Sequence, residues 1–452
     1  MPVASSCPVP NLSGWPEVSL AEITTKIGSG ATPRGGAEAY LQSRVEFALV
    51  RSQNVFDRRF DRAGLAFISN EQAHQLRGAA LRRGDVLLNI TGDGVTFGRA
   101  CVVPADVQPA CVNQHVSIVR VDPEKADSDY VLAFLTHPAV KPYIESFNAG
   151  GSRRAITKGH IESFRLPHPP LGVQRAIGAV LRSLDDKIEL NRQMNETLEA
   201  MARALFKSWF VDFDPVHAKA AGRAPIGMES ETAKLFPSEF VDSELGPIPK
   251  GWPISRLEET LEWLVQTVNP AHSPALTFEH FSLPAFDRGQ VPTHDLGSTI
   301  LSHKLRISDR SVLLSKLNPA IPRVWLPSPS TANAVCSTEF LVAEPVTGVP
   351  RNWLFLTFLS EPVRLPMVAK ASGTSNSHQR VRPSDVCDII IPRPDEALLR
   401  RFDSLVAPLL NAVQQNRVSS ASLAEVRDLL LPRLLSGEVS APAALSTAGE
   451  GR

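Results

Sequence analysis

The amino-acid sequence predicts an α/β (α+β) protein in which two β-rich globules are separated by a pair of long antiparallel coiled-coil helices, related as a pseudo-twofold internal repeat. Three observations lead there. The second half of the chain re-reads the first, short β-branched runs give way twice to helical spacing, and both helical stretches carry a heptad seam. Gly14-Trp15-Pro16 returns as Gly251-Trp252-Pro253. Cys111 at the head of an alternating run returns 225 positions later as Cys336, and the same offset carries Ile161 onto Val386, Leu184 onto Leu409 and Asn191 onto Asn416.

The elements follow in order. Residues 12–168 are short apolar runs broken by Gly, Pro, Asn and Asp, the mark of a β-rich globule. Over 171–212 the period changes: Ile177, Leu181, Leu184, Ile188, Asn191, Asn195, Leu198, Ala202, Leu205 and Trp209 step by 4 and 3 in alternation, which predicts a helix with a coiled-coil seam. Residues 213–248 are a Pro-rich connection, and 249–393 repeat the globule. The second helix, 395–437, carries the seam Phe402, Val406, Leu409, Val413, Asn416, Ser420, Leu423, Arg427, Leu430, Leu434. Only Arg427 breaks it, and Val426 is expected to take its place. Small residues over 438–452 predict a disordered tail. Asn191 and Asn416 are expected to set the register of the helix pair, since a buried seam asparagine rejects wrong pairings.

Composition narrows the function. In 452 residues 47 basic side chains face 47 acidic ones, so bulk electrostatics is no means of coating nucleic acid, although each globule has a small basic excess and the helical segments are acidic. No stretch has the length of a membrane span, and residues 1–13 lack a signal-peptide pattern, so a cytoplasmic protein is expected. The five cysteines never form C-x-x-C, which points to reduced thiols and no zinc ribbon.

Catalytic signatures are missing. There is no phosphate-binding P-loop, no [DN]-P-P-[YF] methyltransferase motif and no G-x-S-x-G elbow, and the histidines lack metal spacing. Gly92 to Gly98 misses the dinucleotide spacing, and Asp185-Asp186-Lys187 is read as solvated charge on the polar face of a helix. No catalytic residue, metal or cofactor is therefore assigned. What remains is a set of polar loops suited to phosphate oxygens and base edges. They comprise Arg51, Ser52, Gln53 and Asn54; Asn89 and Thr91; Asn113 and Gln114; Ser152, Arg153 and Arg154; Lys316 and Asn318; and Ser375, Asn376, His378 and Arg380. Such loops recur at corresponding places in both globules with different side chains.

The run Leu184-Asp185-Asp186-Lys187-Ile188-Glu189-Leu190-Asn191-Arg192-Gln193-Met194-Asn195-Glu196-Thr197-Leu198-Glu199, with Leu205 to Phe213, Glu244 to Trp252 and Leu431 to Glu438, resembles the specificity (S) subunit of Type I restriction-modification enzymes. The resemblance covers almost the whole chain. It implies two target-recognition domains (12–168 and 249–393) on two spacer helices, and a non-catalytic subunit that reads a bipartite, asymmetric site in double-stranded DNA. It also implies two methyltransferase (M) subunits bringing S-adenosylmethionine, and restriction (R) subunits bringing ATP and Mg chemistry. The competing class is a two-domain coiled-coil scaffold or regulator that binds proteins; an enzyme of another type ranks third. The recognised bases, the spacer length and the presence of an active restriction subunit are not legible in the sequence.

Overall fold

The computed structural model describes residues 7–147, 154–373 and 379–441. They form two units, one of described residues from 7–190 with 422–441 and the other of described residues from 191–421.

In the first unit an antiparallel sheet has the order Thr24–Ser29, Val116–Val121, Val86–Asn89, Ala100–Val102. A second sheet places Phe47–Val50 parallel to Ala110–Val112 and antiparallel to Ala66–Ile68. These strands are β-branched or aliphatic and mostly buried, so neither face needs polar residues. The helix Ser128–Leu135 covers the first sheet with Tyr130 to Leu135 buried, and the Tyr130 hydroxyl donates to the Pro167 carbonyl at 2.8 Å. The ribbon Glu17–Ser19 with Arg165–Pro167 closes the globule just before the first long helix.

The second unit repeats this plan. Its antiparallel sheet runs Leu261–Trp263, Phe340–Pro345, Val312–Ser315, Val324–Trp325, and its second sheet has Thr277–Phe281 parallel to Ala334–Ser337 and antiparallel to Thr293–Leu296. Cys111 and Cys336 fall on corresponding strands, each in the parallel pairing, opposite Leu49 and Phe281. One difference stands out: the single bridge Ala80↔Cys111 of the first unit becomes the strand Lys304–Arg306 in the second, with Leu305 opposite Cys336 and Thr267–Val268 beyond it.

The long helices are Leu171–Phe210 and Glu396–Ser436. The first ends two residues short of the expected 212, because Val211 and Asp212 turn back to the Lys207 carbonyl. Every seam position of both helices is buried or half-buried. In the second unit Asn191 meets Ser420, Asn195 meets Asn416 and Trp209 meets Phe402, so the paired stretches run antiparallel. In the first unit Ile177 and Leu181 share a core with Leu431, Leu434 and Leu435.

Two expectations are corrected. Val426 does not replace Arg427: Val426 is 46% exposed, while Arg427 stays in the seam at 18% exposure and pairs with Asp185 at 2.9 Å. The tail begins later than 438, since Val439 donates to the Arg433 carbonyl and packs with Ala441 against the first unit's core; 442–452 lie outside the described residues. Gly437, at φ +76°, ends the helix in the left-handed conformation that glycine adopts without Cβ strain, and the Leu12 and Ser13 amides cap the Ser436 carbonyl. The connection 213–248 is itself structured. It holds the helices Asp214–Ala220 and Ser230–Lys234, and Phe236 packs edge-on against Trp209 with centroids 5.1 Å apart.

Candidate nucleic-acid interface

Parallel pairing brings the chain out of Val50 and Val112 at the same end of the second sheet, so the segments after them emerge together. Hydrogen bonds fasten them: Asn113 N–H donates to the Val50 carbonyl, Gly30 N–H to Asn113, Ile90 N–H to His115 and Ile156 N–H to Ile90. Gly30 has no room for a Cβ against the Val112 carbonyl, which lets the 30–32 segment lie on this edge. Gln53 and Gln114 are exposed here, and Arg51, Ser52, Thr91 and Arg154 are half-exposed.

The three asparagines expected as contacts in the first unit, Asn54, Asn89 and Asn113, turn out to be internal. Asn89 is fully buried and its amide donates to the carbonyls of Ser52 and Thr96, both at 3.0 Å, and of Val55 at 3.4 Å. Asn54 is fully buried, accepting from Arg51 N–H and donating to the Asp61 and Ala63 carbonyls; Asn113 is 6% exposed and accepts from His115 N–H. These three hold loops in place through backbone hydrogen bonds, and Asn54 and Asn89, both fully buried, present no amide edge to a ligand. Arg51 donates from Nη2 to the Gly64 carbonyl and lies over the Tyr40 ring at 5.3 Å, while its buried Nε–H meets no hydrogen-bond partner among the described residues.

The segment Gly92 to Gly98 is a turn built on Asp93, whose carboxylate accepts from the Val95 and Thr96 amides and the Thr96 hydroxyl; the Thr96 amide foremost, these bonds hold it below the usual carboxylate pKa range. Arg154 pairs with Glu145 beside this turn. Two polar residues escaped notice in the sequence: Thr32, hydrogen-bonded to Gln114, and His115, hydrogen-bonded to Thr91. Neither belongs to a motif; only the meeting of three loops reveals them.

The second unit repeats the framework with other side chains. Lys316 N–H donates to the Glu339 carbonyl and Val381 N–H to Lys316, matching the Ile90 bonds to His115 and Ile156. Arg154↔Gly92 and Ala155↔Thr91 become the bridge Leu317↔Arg380. Lys316 and Asn318 are half-exposed, Asn318 at φ +49°, while Arg380 is exposed and pairs with Glu339 at 2.9 Å. Where the first unit has Asn89, the second has buried Ser315, which donates to the Leu317 carbonyl. Ser152, Arg153, Ser375, Asn376 and His378 lie outside the described residues.

No group of three or more His, Cys, Asp or Glu side chains among the described residues is placed to hold a metal. No described helix is long and apolar enough to cross a membrane. Asp185, expected to be solvated, is 14% exposed and lies between Arg58, 2.7 Å away, and Arg427. Burial works against the charge of Arg427, but bonds to Asp185 and Asp428 raise its pKa above the ordinary arginine value. Asn191 and Asn416 do not pair with each other: Asn191 donates to Ser420 at 3.1 Å and Asn416 to Asn195 at 2.9 Å, two contacts that the 225-residue offset interchanges.

Comparison with known proteins adds the following. Residues 55–200 match the family model described as the Type I restriction modification DNA specificity domain. The chain is 24% identical over 477 residues to the Type I restriction enzyme HindI specificity subunit of Haemophilus influenzae, covering 95% of this chain and 100% of that one. It is 24% identical to the MjaIX specificity subunit of Methanocaldococcus jannaschii over 69% of each chain. Its fold matches the crystal structure of a Type I restriction-modification S subunit from M. genitalium with a TM-score of 0.58 at 12% identity, covering 93% of this chain and 96% of that one.

Proposed function

We infer that this chain, a relative of the specificity subunits of Type I restriction-modification enzymes, is the non-catalytic component that reads a bipartite, asymmetric site in double-stranded DNA, one half-site per unit. The observation that carries this reading is the repeated loop framework: corresponding hydrogen bonds hold Ile90, His115 and Ile156 in one unit and Lys316, Glu339 and Val381 in the other. A shared scaffold with different side chains at its rim is what two related readers of different sequences need. The reading candidates are Gln53, Thr91, Gln114 and Arg154, now joined by Thr32 and His115, in the first unit, and Lys316, Asn318 and Arg380 in the second.

Methyltransferase and restriction subunits would dock on the helices, bringing S-adenosylmethionine, ATP and Mg, in the cytoplasm where the DNA is. The chain purified with its methyltransferase partner should methylate adenine in a single two-part motif, mapped by long-read sequencing. The chain alone, supplied with S-adenosylmethionine, should methylate nothing. Methylation without a two-part motif, or by the chain alone, contradicts the reading.

The helices would fix the unread gap. From Ile177 to Trp209 is 33 residues, a rod of roughly 50 Å at ~1.5 Å per residue, against ~34 Å for one turn of B-DNA. Lengthening the first helix alone after Ala204 would drag Phe206, Trp209 and Phe210 out of their core. A heptad added to both helices, after Gln193 and after Val418, keeps every seam face. It should lengthen the rod by ~10.5 Å and widen the gap by about three base pairs at ~3.4 Å each, with the half-sites unchanged.

A further inference from the structure

The hairpin Val55–Phe56 with Arg59–Phe60 gathers positive charge on one aromatic ring. Phe56 faces Arg59 in register, and the guanidinium carbon of Arg59 lies over the Phe56 ring at 4.4 Å from its centroid. Arg99, at the end of the Gly92 to Gly98 turn, lies over the same ring at 4.5 Å. Ring faces attract cations, but two guanidiniums sharing one ring still repel each other. Neutralisation is slight. Asp61 lies 3.6 Å from Arg59 and Asp57 is engaged by Lys141 at 2.7 Å; the Asp93 carboxylate, itself held by Val95 and Thr96, acts on Arg99 through space, and among the described residues Arg99 makes no direct ion pair and donates no side-chain hydrogen bond. Both arginines are half-exposed.

The second unit supplies an internal control. Ala100 pairs with Leu88 as Val324 pairs with Leu314, and the amides of Asn89 and Ser315 donate to the carbonyls of Arg99 and Arg323, each at 2.9 Å. Arg99 and Arg323 therefore occupy one scaffold position. Arg323 is 15% exposed and makes a bidentate pair with Asp287, at 2.7 and 2.9 Å. The first unit leaves its arginine without such a carboxylate.

We propose that Arg59 and Arg99, stacked on Phe56, form a clamp for the phosphodiester backbone of the DNA, positioning the first unit on the duplex without reading bases. Planar forks held on a ring bind phosphate oxygens with little ordering cost, and the ring leaves their outer N–H groups free for that use. The proposal rests on the DNA-reading function inferred above.

The test uses the full chain assembled with its methyltransferase partner and measures DNA affinity against salt concentration. The two probes are a duplex carrying the mapped site and an unrelated duplex of equal length. Each phosphate contact contributes ~0.9 to the slope of log K against log salt, so Arg59→Gln with Arg99→Gln should lower the slope by one to two units on both duplexes and leave the methylated motif unchanged. Arg323→Gln should lower the melting temperature and leave the slope alone. Arg99→Gln by itself removes no hydrogen bond within the described chain, and should cost about one unit of slope even if the double variant fails to assemble. An unchanged slope in Arg99→Gln, or a loss confined to the duplex with the site, overturns the clamp. A wild-type assembly that binds neither duplex overturns the DNA-reading function itself, and the clamp with it.

Discussion

The two units use one set of helix positions in opposite ways. In the first unit Ile177, Leu181, Leu431, Leu434 and Leu435 fill the interface; the 225-residue offset places Phe402, Val406, Phe206, Trp209 and Phe210 at those positions in the second. One turn further along, the first unit has the ion pair Asp185–Arg427, and the second has Leu410 and Ala202, both buried. A shared backbone plan thus tolerates an aliphatic interface with a charged latch in one unit and an aromatic cluster in the other. The latch also receives Arg58, whose left-handed backbone at φ +60° in the hairpin turn carries its guanidinium to Asp185. That hairpin bears Phe56 and Arg59, so the charged latch ties this loop to the helix, whereas the aromatic cluster holds a core.

The largest effect is expected at the aromatic cluster. Phe402 touches Phe206, Trp209 and Phe210 at centroid distances of 5.9, 5.6 and 4.8 Å. Phe402→Ala should cost about 3–5 kcal/mol, and its counterpart Ile177→Ala less, at about 2–4 kcal/mol. Hydrogen exchange should report each loss within its own unit, and equal losses at the two positions would break the comparison.

Next comes the latch. Asp185→Ala leaves two arginines, 4% and 18% exposed, without their shared carboxylate and should cost about 3 kcal/mol. Importing the apolar solution of the other unit, Asp185→Leu with Arg427→Ala and Arg58→Met, should restore the melting temperature or exceed the wild type's. If the triple variant melts as low as Asp185→Ala, packing around the latch is the cause and not its charge.

The course of the chain was legible where a pattern repeats. Ten seam positions in the first helix, nine in the second and the correspondence of Cys111 with Cys336 follow from spacing alone. The candidate site was less legible, for a physical reason. An asparagine beside a turn signals a hydrogen bond but not its direction, and Asn54, Asn89 and Asn113 turn inward to backbone carbonyls and amides while Gln53 and Gln114 stay exposed. Arg427 looked like a flaw in the seam because its partner Asp185 lies 242 residues away in sequence. Arg99 showed nothing at all until Phe56 and Arg323 gave it a context.

A smaller effect concerns the polar rungs. We propose that the Asn191–Ser420 and Asn195–Asn416 contacts select the register of the helix pair. Replacing Asn191 by Leu and Ser420 by Ala should raise stability by about 1 kcal/mol while adding misassembled species on sizing. A less stable variant that assembles as a single species would contradict that role.

The claim at the centre of the account is that each unit reads its own half-site. It is tested most directly by replacing residues 12–168 with the corresponding segment of a relative of different specificity and mapping adenine methylation by long-read sequencing of DNA from cells that also express the methyltransferase partner. The account predicts a motif in which one half is exchanged for that of the relative, while the other half and the gap stay as they were. A motif changed in both halves would contradict it.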